Sequence, residues 1–141
     1  MEYRRYQDAM VVRLDPGDEV VSCLAQAVKE SGLRQASVSG IGAINEVTLG
    51  VFDTETHEYH KYTHKGVYEI TSLLGNITRQ GDEPYLHLHM TVANTDNQVM
   101  GGHLNAATVS ATSEIYLHEI KDADIDRRFD ETIGLNLLEF K

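Results

Sequence analysis

Apolar and polar residues alternate most regularly between Pro84 and Asn94. Leu86, Leu88, Met90 and Val92 fall on one side of an extended chain, and Tyr85, His87, His89 and Thr91 fall on the other. This period of two predicts a β-strand with one face in a core and two imidazoles on the opposite face. The polar turn Thr95-Asp96-Asn97-Gln98 then returns the chain through Gly101-Gly102-His103-Leu104. If Asn94 opposes Val99, Met90 opposes His103 and that histidine joins the core face. A bulge at the glycine pair, where the missing Cβ makes unusual dihedrals cheap, shifts the count by one and brings His103 beside His89.

The remaining pattern predicts mainly strands. Tyr6 to Leu14 reads as a strand ended by Asp15-Pro16-Gly17-Asp18, a turn that can also cap the next element. Val20, Val21, Leu24, Ala25, Ala27 and Val28 then recur at helical spacing, predicting about four turns of amphipathic helix stopped at Gly32. Gln35–Ser39 and Glu46–Asp53 read as strands around Gly40-Ile41-Gly42-Ala43, and Val67–Thr78 as another opened by Gly66. Asn105–Ile120 is a further β-rich stretch, and Leu135–Phe140 suits an edge strand or a segment docked on a neighbouring subunit. The expected fold is α+β: a mostly antiparallel sheet of about seven strands with one main helix packed on it. With 141 residues, 41% of them hydrophobic, residues 1–141 suit a single domain with an ordinary core.

Three histidines leaving one coordination position open is the arrangement expected for zinc with an exchangeable water, which makes His87, His89 and His103 the candidate metal ligands. Two half-exposed histidines on a sheet face fit the strand pattern equally well. Glu69 stands in an otherwise apolar and hydroxyl-bearing run. It is a candidate partner for a metal-bound histidine or base for a metal-bound water, with an exposed polar position as the alternative; Glu114 poses the same question. His57, His60 and His64 miss the His-Glu-x-x-His spacing because position 61 is Lys61, and they read as the exposed face of a hairpin strand. Gly40 and Gly42 lack the third glycine and succeeding helix of a dinucleotide-binding loop, which leaves a structural bend.

Charge changes the picture of partners. Acidic residues outnumber basic ones by 22 to 12, a formal net charge of −10, so duplex DNA is repelled on average. The adjacent basic pairs Arg4-Arg5 and Arg127-Arg128 read as solvated surface pairs. Cys23 is the only cysteine, which excludes an internal disulfide and suits a reducing cytoplasm, and its place in the helix makes it a packing residue. The first residues lack the apolar segment of a signal peptide, and no apolar run approaches the ~20 residues of a membrane span, so a soluble cytoplasmic protein with no membrane partner is expected.

Pro84-Tyr85-Leu86-His87-Leu88-His89, together with Gly101-Gly102-His103-Leu104, resembles the signature of the plants-and-prokaryotes-conserved (PPC) domain, whose bacterial members are usually described as predicted DNA-binding proteins. Arg13-Leu14-Asp15-Pro16-Gly17-Asp18, Ser39-Gly40-Ile41-Gly42-Ala43, Tyr68 to Gly75 and Arg128 to Leu135 stand in the family's order, so the resemblance spans essentially the whole chain. It implies a compact α+β domain, a homotrimer, and, from some prokaryotic members, a histidine metal site at His87, His89 and His103. One departure is that the AT-hook of the plant proteins, with its Arg-Gly-Arg core, is missing. The functions in competition are a trimer binding zinc or another divalent metal, a DNA-binding regulator, and a metal-dependent, hydrolase-like enzyme or small-ligand-binding trimer without DNA binding.

Overall fold

The computed structural model describes residues 1–141 as eight strands and one helix: β1 (Glu2–Tyr6), β2 (Ala9–Leu14), α1 (Val20–Ser31), β3 (Ala36–Asp53), β4 (Glu58–Gln80), β5 (Glu83–Asn94), β6 (Val99–Glu119), β7 (Ile125–Asp130) and β8 (Leu135–Phe140). All pairings are antiparallel, so the expected α+β class holds with one strand more than expected. β1 and β7 are the unexpected strands, whereas the stretches expected at Gln35–Ser39 and Glu46–Asp53 merge into the single strand β3. β1 folds back on β2 through Gln7, whose φ of +43° lies in the left-handed region that a turn usually gives to glycine or asparagine.

β6 organises the main sheet, whose order is β1-β2-β6-β3-β4-β5. One edge of β6 pairs with β3 from His103 to Glu119. The other edge is shared: residues 99–103 pair with β5 and residues 113–118 with β2. Because β5 also pairs with β4, the strands β6, β3, β4 and β5 close into a ring around the apolar side chains. Shifts of register at Gly40–Gly42 and Ile44–Glu46 bend β3 enough to trace this curve, the role expected of the Gly-x-Gly segment. Leu88, Met90 and Val92 from β5 meet Val47, Leu73, Leu104, Ile115 and Leu117 in a continuous core of 24 buried residues.

α1 lies against β2, β5 and β6 and contributes Val20, Leu24, Ala27 and Val28 to that core. It has 12 residues, just over three turns, and ends as expected at Gly32 with φ +69°. Its start is not capped by the Asp15–Asp18 turn. The Glu19 carboxylate accepts from the backbone N–H groups of Val21 (3.0 Å) and Ser22 (2.8 Å), and also from Ala107 of β6 (3.1 Å). Asp18 instead accepts from Asp15 N–H. A single side chain thus caps the helix and ties it to the sheet.

Two stability measurements test these constraints by urea unfolding. Glu19→Ala leaves three N–H groups without their acceptor and is expected to cost about 2 kcal/mol. A Cβ on Gly102 would lie 2.7 Å from the Gly50 carbonyl oxygen, so backbone must move to admit it. Gly102→Ala is expected to cost roughly 1–3 kcal/mol, the range for overpacking.

Candidate metal centre

β5 and β6 bring the three histidines together. His87 and His89 project from alternate positions of β5, and His103 lies directly opposite His89 in the ladder. No bulge at the glycine pair is required. Ala93, not Asn94, opposes Val99, so the turn holds one residue more than the polar pattern implies. The asparagine explains this: the Asn94 side-chain oxygen accepts from the N–H groups of Asp96 (3.0 Å) and Gln98 (2.9 Å), building its own turn. The glycines serve close approach instead, because β6 passes near β3 at Gly102 and near β5 at Gly101.

The ring centroids are separated by 5.2 Å (His87–His89), 5.4 Å (His87–His103) and 5.6 Å (His89–His103). One nitrogen from each ring lies within 4.8 Å of the others. A tetrahedral zinc with bonds of ~2.1 Å places its nitrogens roughly 3.4 Å apart, a contraction that small side-chain rotations supply. The donor set and its spacing therefore fit a divalent metal. No protein group hydrogen-bonds to any of the three rings. His87 and His103 are half-buried and His89 is exposed. Burial pushes the His87 imidazole down from its ordinary 6.5 to about 4, helped by the charges of His103, Arg127 and His89. His103 is also pushed down, first by burial and then by His89. Both rings are held in the neutral form that a metal requires.

The histidines line a cleft of about 720 Å³. Its near wall includes Tyr59, whose hydroxyl oxygen accepts from Asn105 Nδ2 at 2.7 Å. Its far wall is the β7–β8 hairpin, with Arg127, Leu135, Asn136, Leu137 and Leu138. Sequence reasoning missed this wall. Arg127, expected to be one of a solvated surface pair, is buried, and its guanidinium donates to Thr78 Oγ1 (3.0 Å), the Asn136 carbonyl oxygen (3.1 Å) and Asn76 Oδ1 (2.7 Å). It also stacks over the Tyr85 ring, 4.9 Å from the centroid. Leu135–Phe140 pairs with β7 and not with the main sheet. The signal available was the strand periodicity of Leu135–Phe140; nothing local marked its partner.

Glu69 and Glu114 are not brought to the histidines. They are exposed and line a separate depression with Ile41, Thr71 and Thr112, because Glu69 opposes Ala93 at the far end of β5 from His87. The carboxylate partner often found behind a metal-bound histidine is therefore not supplied by either residue. His57, His60 and His64 stay outside the cluster: His57 sits in the β3–β4 turn with φ +57°, and His60 is half exposed beside Glu58. Cys23 is half-buried on α1 against the core, as expected for packing. No helix is long and apolar enough to cross a membrane.

Comparison with known proteins gives these features a family. A provisionally named DNA-binding protein of Bacteroides thetaiotaomicron superposes with a TM-score of 0.95 at 33% identity, covering 99% of this chain and 96% of that one. A metal-containing protein of Archaeoglobus fulgidus superposes with a TM-score of 0.88 at 32% identity, covering 98% and 96%. The bifunctional protein GlmU of a Synechococcus strain is 30% identical over 125 residues, 87% of this chain; the chain spans only 18% of that curated relative's length. The model of the Plants and Prokaryotes Conserved (PCC) domain, the same family whose PPC signature the histidine segment resembles, matches residues 1–121. The chain belongs to the Plants and Prokaryotes Conserved domain family.

Proposed function

We propose that this protein is a homotrimer that binds one divalent metal per chain, with zinc as the first choice, through His87, His89 and His103. The observation that carries the reading is the convergence of three imidazoles, with donor atoms within 4.8 Å of one another and no protein hydrogen-bonding partner. The metal-containing relative from Archaeoglobus fulgidus supports it. Three nitrogen donors leave a coordination position open, where a bound metal would act as a Lewis acid and lower the pKa of a water. Association is supported by an apolar outer face. Leu74 and Tyr116 flank Ser39 on adjacent strands, and Ile41, Leu74 and Tyr116 are 58%, 56% and 45% exposed. The expected mass in solution is three times the chain mass of 15.8 kDa.

Elemental analysis of protein purified without a histidine tag is expected to give one metal per chain, and His87→Ala with His89→Ala is expected to remove it. Unchanged metal content in the double variant overturns the assignment. The depressed imidazoles add a pH dependence to the metal-free protein. The unfolded chain takes up a proton at His87 near pH 6.5, while the folded chain resists until about pH 4. Folding stability therefore falls as pH drops through that window and is unaffected by this group above it. Urea midpoints of chelator-treated protein at pH 7.5 and 5 are expected to show the loss, and His87→Ala to reduce it.

DNA binding is the second reading, supported by the name of the Bacteroides thetaiotaomicron protein. Charge opposes it. Seven of the twelve Lys and Arg residues (Arg4, Arg5, Arg13, Lys29, Lys65, Arg128 and Lys141) are already paired with carboxylates. An eighth, Arg127, is buried. Micromolar protein is expected to leave duplex DNA unretarded at ~0.15 M salt, and a retarded complex under those conditions restores the regulatory reading.

A further inference from the structure

Arg127 is the one buried cation of the molecule, and it makes no ion pair. Its three hydrogen bonds go to neutral acceptors on Thr78, Asn136 and Asn76. A guanidinium has five N–H groups, so two remain, one on each terminal nitrogen, the pair of atoms that a carboxylate engages in bidentate fashion. Burying a charge without a counter-charge is costly, and retaining one beside a cleft is characteristic of a site that receives the opposite charge from a ligand. The surroundings agree. The chain has 22 acidic residues, yet none lines this cleft. Leu135, Leu137, Leu138, Val51 and Phe52 line the same cleft, so apolar side chains share its wall with the cation. The volume of about 720 Å³ suits a small molecule.

We propose that the cleft between the histidine face of β5–β6 and the β7–β8 hairpin binds a small organic carboxylate, held by the Arg127 guanidinium with its apolar substituent against Leu135, Leu137 and Leu138. A phosphate group fits less well: one guanidinium faces the cleft, with no second cationic side chain and no helix N-terminus there to share a dianion. The proposal goes beyond the metal reading, shares its cleft, and uses none of its ligands.

The test is isothermal titration calorimetry of the full chain with sodium hexanoate and with its uncharged counterpart, hexanamide, before and after chelator treatment. Hexanoate is expected to bind once per chain, and hexanamide at least tenfold more weakly. Arg127→Met is expected to weaken hexanoate at least tenfold. Because that substitution also removes the bonds that fix the hairpin, Leu138→Glu provides a variant that keeps them. Leu138 lies directly opposite Arg127 in the β7–β8 ladder, so its replacement places a tethered carboxylate beside the guanidinium. Hexanoate binding should vanish while the melting temperature rises. Equal binding of hexanoate and hexanamide, no binding of hexanoate, or hexanoate binding unchanged by Leu138→Glu overturns the proposal and leaves Arg127 as an anchor for the hairpin. Displacement of hexanoate by equimolar inorganic phosphate overturns the carboxylate assignment. Hexanoate binding that survives complete loss of metal upholds this proposal independently of the metal reading; stoichiometric metal without hexanoate binding overturns this proposal alone.

Discussion

The close passage of β6 between β3 and β5 is the constraint on which the rest of the molecule depends. A strand has two hydrogen-bonding edges, and β6 gives one of them to β3 and divides the other between β5 and β2. That division closes the sheet. It requires β6 to run near both neighbours where Gly101 and Gly102 stand, since side chains there would meet Thr91 and the Gly50 backbone. The next residue, His103, is thereby fixed across from His89, with Gly50 on its other side. Closure of the core and assembly of the imidazoles are consequences of the same backbone contact, so neither can be altered without the other.

The cleft that results has an electrostatic character opposite to that of the molecule. A protein of net charge −10 encloses three imidazoles and a guanidinium with no carboxylate among them. Partial burial keeps His87 and His103 neutral, and the nearby guanidinium adds to that effect at His87. A guanidinium beside the three imidazoles raises the cost of placing a further cation there, so the proposed metal would bind more favourably with an anion also present. With the proposed metal and carboxylate both bound, the charges would balance: metal and guanidinium on one side, the anion on the other, beside apolar side chains that strengthen attraction by excluding water.

Much of this was legible along the chain because it depended on local period. The alternation of Leu86, Leu88, Met90 and Val92 separated core from site face on β5, and the helical spacing from Val20 to Val28 with Gly32 behind it set α1 and its end. Departures arose where local signals were silent or misleading. β1 turns at Gln7, a residue type that seldom marks a left-handed turn, so the hairpin had no signature. Asp15-Pro16-Gly17-Asp18 looked like a cap, but the glutamate after it reaches both the helix and β6, and only the tertiary contact selects it. In the β5–β6 turn the side chain of Asn94 is the deciding acceptor, taking the chain one residue further before pairing begins. The histidines converge as the sequence suggested, through a register set by that asparagine and not by a bulge.

Arg127 marks the limit of such reading for the most informative reason. Beside Arg128 in an acidic tail it has the sequence context of a solvated charge, and Arg128 indeed stays exposed, paired with Glu139. Their difference comes from strand alternation on β7, which turns one guanidinium outward and the other onto β4 and β5. The acceptors on Asn76 and Thr78 lie about fifty residues earlier, on a strand where each reads as an ordinary polar position. Neutral acceptors orient a guanidinium without discharging it, whereas a carboxylate at either position would have oriented and neutralised it together. The choice of amide and hydroxyl therefore preserves the positive charge at the wall of the histidine cleft. The tail hairpin, which stands beyond the residues matched by the family model, thus forms the wall of the cleft that faces the histidines and holds Arg127 there.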